Sequence, residues 1–127
     1  MPENHLFEYA VIRVVPRVER EEFINAGVIL LCAKKKFLQA TIQLNEERVC
    51  ALCPEFDRGL FDEHVQSFQL ICQGGPGSGP IGQLPLAERF RWLTAARSTM
   101  VQTSPVHPGL CTDPQQMLQH LFEQMVV

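Results

Sequence analysis

The chain has 127 residues, of which 46% are hydrophobic and 20% charged, enough apolar material for one buried core and too short for a second independent domain. Fourteen acidic and eleven basic side chains give a formal charge of -3, which excludes a global electrostatic pull toward nucleic acid or an anionic membrane. The opening Met1-Pro2-Glu3-Asn4-His5 lacks the basic and apolar regions of a signal peptide, and no apolar run approaches the roughly 20 residues a bilayer requires. The expected compartment is the cytoplasm, where an odd set of five cysteines fits reduced thiols better than a disulfide framework.

Taken in chain order, FEYAVIRVV (7–15) is rich in β-branched and aromatic residues, with apolar side chains on both parities. This predicts a central strand covered on both faces and closed by Pro16. The charged connector 17–22 leads to a second buried strand, dense in apolar residues from Gly27 to Cys32. Lys34, Lys35 and Lys36 form a polar turn into a third strand, 37–43, so that strands two and three make an antiparallel hairpin. Asn45 caps a short helix ending before Pro54. From Asp57 or Gly59, the apolar residues Leu60, Phe61, Val65, Phe68 and Ile71 recur at helical spacing. The stretch GGPGSGP reads as a flexible loop within the domain, spanning 74–82. Pro85 opens a short helix, 99–104 provides a fourth strand, and Thr112 or Asp113 with Pro114 begins a final helix striped by Leu118, Leu121, Phe122 and Met125. The expected architecture is α+β: a single domain over 1–127 with a mostly antiparallel sheet of about four strands and three to four packed helices.

Motifs that resemble catalytic or metal signatures are weakly placed. Gly77-Ser78-Gly79-Pro80-Ile81-Gly82 matches GxGxxG in letters, but a dinucleotide loop follows a strand and opens a helix, whereas this one follows a helix and contains a proline. Cys50 and Cys53, with His107 and Cys111, would make a tetrahedral zinc set. The plainer reading has both members of the CxxC pair facing the core as small apolar residues; no metal and no cofactor is expected. Ser98 or Ser104 with His107 and Asp113 makes a triad only on paper, without a nucleophile elbow. Glu19, Glu21 and Glu22 read as a solvated connector, with Glu22 and Asn25 a minority pointer to a site.

The densest polar stretch is Arg89 to His107, with three arginines and the single tryptophan. Trp92 is expected in the core. Arg97, Ser98, Gln102 and His107 are candidate ligand contacts, since an arginine fork suits carboxylate or phosphate. Arg13 interrupts an apolar strand, and a buried arginine needs a partner, for which Glu22 or Glu88 is the expected choice.

FEYAVIRVVPRVEREEFINAGVIL, Ala87 to Ala95, Arg97-Ser98-Thr99 and Ser104-Pro105-Val106-His107-Pro108-Gly109-Leu110-Cys111 resemble the DUF3037 family of small bacterial proteins. The resemblance implies characteristic polar positions at Tyr9, Arg13, Glu22, Asn25, Gly27, Arg97, Ser98 and Gln102. It also implies a genomic setting beside a HipA-like kinase, and so a kinase as protein partner. Two functions are expected from this: a non-catalytic accessory or interaction protein, contacting its partner through a helix face or the Gly-rich loop, or a small enzyme or binding domain for a phosphate-containing ligand or nucleic acid. The second requires Arg13, Glu22, Asn25, Arg97, Ser98, Gln102 and His107 to supply one Arg-centred pocket. The two separate on whether Arg13 and Arg97 share a cleft without carboxylate partners or are each paired inside the core.

Overall fold

The computed structural model describes residues 3–127; Met1 and Pro2, which belong to the leader reading, lie outside the described residues. Strand β1 (His5–Val14) is the axis of the molecule. It pairs antiparallel with β2 (Ile24–Cys32), which pairs in turn with β3 (Phe37–Ile42). The other edge of β1 is shared by two short strands, β4 (Val101–Thr103) along Ile12 to Val14 and β5 (His107–Cys111) along His5 to Tyr9. The sheet therefore has five strands. The additional strand is β5, whose Pro108 and Gly109 mask its β character and whose edge position tolerates them.

Both faces of β1 are covered, as its two-sided apolar pattern predicts. Ala10, Ile12 and Val14 enter one core with Ile29, Leu31, Phe61, Phe68 and Phe90. That layer consists of α1 (Glu46–Leu52), α2 (Arg58–Gln73), the single turn α3 (Gly79–Gly82) and α4 (Leu86–Leu93). Phe7 points the other way, into a second core with Val28, Leu30, Cys32, Leu118, Leu121 and Phe122 beneath α5 (Pro114–Met125). The result is an α+β sandwich with the sheet in the middle. No helix among the described residues is long and apolar enough to cross a membrane.

The capping residues fix the helix starts. Asn45 accepts from the Arg48 N–H at 3.1 Å and Asp57 from the Leu60 N–H at 3.0 Å. Asp113, rather than Thr112, accepts from the Gln115 and Gln116 amides at 3.0 and 3.3 Å. Strand β2 starts three residues earlier than its apolar run, at Ile24, because a bulge absorbs Ala26: Ile12 faces Gly27 while Arg13 faces Asn25. The segment expected to be a flexible loop is folded on itself, since Ser78 Oγ and Gln83 Nε2 both donate to the Gly75 carbonyl, at 2.5 and 2.7 Å.

Ser104 bridges the gap between β4 and β5. Its N–H donates to the Val11 carbonyl at 2.8 Å, and its hydroxyl accepts from the Val11 N–H at 2.8 Å. One buried serine thus satisfies both backbone groups of a β1 residue that neither edge strand reaches. Ser104→Ala leaves the Val11 N–H unpaired and is expected to destabilise by about 1–3 kcal/mol in urea unfolding. A loss below ~0.5 kcal/mol would mean that the site relaxes to pair Val11 in another way.

Candidate functional site

Helix α5 packs chiefly against β2 and β3 and also covers Phe7 of β1 and Cys111 of β5 on the same face of the sheet. Strand alternation places Tyr9, Val11 and Arg13 there, opposite to Ala10, Ile12 and Val14. Pairing then sets their neighbours. Arg13 lies between Asn25 on β2 and Gln102 on β4, and Tyr9 lies beside His107 on β5. The register thus assembles a polar row, Asn25–Arg13–Gln102, from three strands. Four of the residues singled out from the sequence (Arg13, Asn25, Gln102 and His107) share this face, together with Tyr9.

Each neighbour of Arg13 is held. Asn25 Nδ2 donates to the Met125 carbonyl at 3.0 Å, tying the strand to the end of α5, and Gln102 Nε2 donates to the Thr99 carbonyl at 2.9 Å. One N–H of each amide is thereby engaged, leaving the second N–H as a donor and the oxygen as an acceptor. The Arg13 guanidinium carbon sits 4.1 Å from the centroid of the Phe23 ring, a cation–π contact. Its Nε is buried and has no hydrogen-bond partner among the described residues; an orphan donor of this kind costs about 1–3 kcal/mol. The expected pairing of Arg13 with Glu22 or Glu88 does not occur. Glu22 is exposed and paired with Arg20, two residues before it, because that contact needs no crossing of the sheet. Glu88 is exposed on α4, which belongs to the opposite layer. Tyr9 and His107 stack with centroids 5.4 Å apart.

Arg97 is elsewhere. It follows α4 and lines a cleft of about 240 Å³ with His64, Ser67, Phe68, Trp92 and Thr99, on the α2 side of the sheet. Arg97 lies 4.4 Å over the Trp92 ring and donates to the Trp92 carbonyl. Partial burial lowers its pKa from the ordinary guanidinium value. Trp92 itself is 41% exposed rather than in the core, since Phe90 and Leu93 take the inward face of a two-turn helix. Arg13 and Arg97 therefore do not share a cleft, and neither has a carboxylate partner among the described residues. Ser98 is exposed in the connection between α4 and β4.

The remaining motifs are accounted for by structural roles. Arg89 donates through Nη1 to the Ile71 and Cys72 carbonyls, both at 2.9 Å, and through Nε to the Leu84 carbonyl at 3.0 Å, closing the end of α2. Cys53 is buried but Cys50 is exposed, so the CxxC pair does not face the core as a unit. Among the described residues, no three His, Cys, Asp or Glu side chains gather as a metal site. Asp113 is engaged at the α5 cap and Ser104 with Val11, which separates the paper triad. Sequence reasoning passed over Phe23; an aromatic ring directly after an acidic connector, where a strand begins opposite a lone strand arginine, is the signal that points to it.

A second surface lies on the other face of β1. Leu6 and Leu110 are direct cross-strand partners, 61% and 62% exposed. They border a depression of about 380 Å³ floored by Leu31 and Ala33 and rimmed by Asn4, Glu8 and Lys34. The pattern of the family described as a protein of unknown function, DUF3037, matches the chain over residues 9–126. No curated protein and no solved structure matches it.

Proposed function

We propose that this chain, which belongs to the DUF3037 family, is a non-catalytic interaction protein of the cytoplasm whose partner, following the family's setting, is a HipA-like kinase. The observation that carries the reading is the Leu6–Leu110 pair beside its depression. Two large aliphatic side chains held on a rigid sheet, next to a hollow that takes an apolar anchor and is ringed by polar groups, have the anatomy of a small interface centre. Contact runs through side chains rather than by strand addition, because Pro108 removes a donor from the β5 edge. Five free cysteines, four of them buried as small apolar residues, support a reducing compartment.

The test is affinity purification from the native host with the double variant Leu6→Lys/Leu110→Glu as control, whose opposite charges are compatible with the cross-strand pairing. Both side chains are mostly exposed, so the variant is expected to keep the parent's unfolding midpoint within ~0.5 kcal/mol. The wild-type chain is expected to bring down a kinase in stoichiometric amount and the variant none. A kinase retained by the variant would move the interface away from β5, and its absence from both would remove the partner assignment.

A further inference from the structure

We propose that Arg13 is the centre of a carboxylate-binding site on the α5 face of the sheet, distinct from the β5 interface. A ligand carboxylate would receive the guanidinium hydrogen bonds that no carboxylate of the described residues receives. The guanidinium has the geometry of a prepared site. Phe23 fixes one flank of it at 4.1 Å, its Nε is buried without a partner, and the side chains on either side are anchored to the Met125 and Thr99 carbonyls. Preorganised arginine gives up less rotamer freedom when it binds, and its planar fork matches the two oxygens of a carboxylate.

The surroundings choose among anions. The row contains one cation between two neutral amides, which balances a single negative charge and not the dianion of a phosphate ester. The nearest acidic connector does not compete, since Glu22 is already joined to Arg20. The Asn25 and Gln102 side chains neighbour Arg13 in register, and their amide oxygens suit a carboxylate attached to a group that also donates, as a peptide N–H does. Further along the same face, the Tyr9–His107 pair offers an aromatic surface to the remainder of such a ligand.

Direct observation of the arginine Nε–Hε resonances by proton–nitrogen correlation NMR tests this, with the Arg13 signal assigned by its loss in Arg13→Lys. The probes are acetate, a blocked tripeptide Ala-Glu-Ala, its Ala-Gln-Ala counterpart and inorganic phosphate, each against sodium chloride at matched ionic strength. The expected result is a saturable shift of the Arg13 signal with acetate and with the glutamate peptide, and none with the glutamine peptide. In Arg13→Lys, the shifts of the Gln102 side-chain amide are expected at about tenfold higher probe concentration. Equal response to acetate and peptide identifies small free acids as the source. A tighter peptide response that spreads to Tyr9 and His107 identifies an acidic side chain of another protein. No shift beyond the chloride control, or a shift with phosphate alone, overturns the proposal. If Arg13→Lys does not fold, Phe23→Leu replaces it: the half-exposed ring is not needed for the core, and its loss is expected to weaken the carboxylate response. An unchanged response in that variant overturns the prepared-site argument.

Discussion

Gly27→Ala is expected to destabilise the protein by about 3 kcal/mol or more. A Cβ at this position would lie 2.4 Å from the Thr41 carbonyl oxygen and 3.0 Å from the Ile42 Cα. Both atoms are backbone of β3, so no rotamer change relieves the clash; the strands themselves must separate. They cannot do so cheaply, because Gly27 adjoins the Ala26 bulge, where Gln43 N–H donates to the Ala26 carbonyl at 2.7 Å and holds the end of β3 in place. Glycine is required here for close approach, not for a left-handed backbone. Urea unfolding checks the value, with Gly59→Ala as the internal comparison. Gly59 lies in the first turn of α2 with only the Asp57 Oδ1 nearby, at 3.5 Å, so alanine there is expected to be neutral or to add a few tenths of a kcal/mol, up to ~1. Similar losses at both positions would contradict the strand-contact account.

Arg89→Ala is expected to cost about 2–4 kcal/mol, since it removes three charge-assisted hydrogen bonds to buried or partly buried carbonyls and a cation at a helix C-terminus. Lysine is expected to recover only part of this, because an ammonium on a flexible stem does not reproduce the fork that spans Ile71, Cys72 and Leu84. The loss has a local reporter. Burial pushes the Cys72 thiol up to about 12 against the opposing influence of Arg89, so in the intact helix it stays protonated and unreactive near neutral pH. When the last turn of α2 frays, the desolvation that raises this pKa is lost and the thiolate becomes accessible. Alkylation of Cys72 is therefore expected to accelerate in Arg89→Ala under conditions where the protein remains globally folded. Unchanged labelling alongside lowered stability would mean that Arg89 acts on the whole fold and not on the helix end. Gly74 belongs to the same device: it has φ of 70°, and a Cβ on it would meet Arg89 Nη1 at 2.7 Å.

Local chemistry made much of the fold legible. Asn45, Asp57 and Asp113 announced helix starts because capping is decided within four residues, and β1 announced its central position because both of its faces are apolar. Strand β5 was concealed because its proline and glycine are tolerable only at an edge, and edge status is settled by pairing with residues near the other end of the chain. The site divided in the same way. That Arg13 was anomalous in its strand could be read directly. That it faces Asn25 and Gln102 depends on a bulge at Ala26 and on the β4 register, neither of which leaves a local trace. Arg97 looked equivalent to Arg13 in composition, yet a whole sheet separates them, and sequence spacing carries no information about which face a post-helical turn will supply. Arg89 appeared to belong to a ligand-facing cluster because nothing nearby in sequence reveals that its partners are carbonyls of α2.

The position of β1 has a consequence for biosynthesis. The strand takes its partners on one edge from β2, which follows it closely in the chain, but on the other edge from β4 and β5, which come only after the intervening helices. While the ribosome translates the intervening helices, β1 presents an unpaired edge, and the surface that α5 will cover, including Phe7, Val28 and Leu30, stays open to solvent. Pairing of β1 with β2 is thus a local event, whereas its pairing with β4 and β5 requires loop closure across all the helices from α1 to α4.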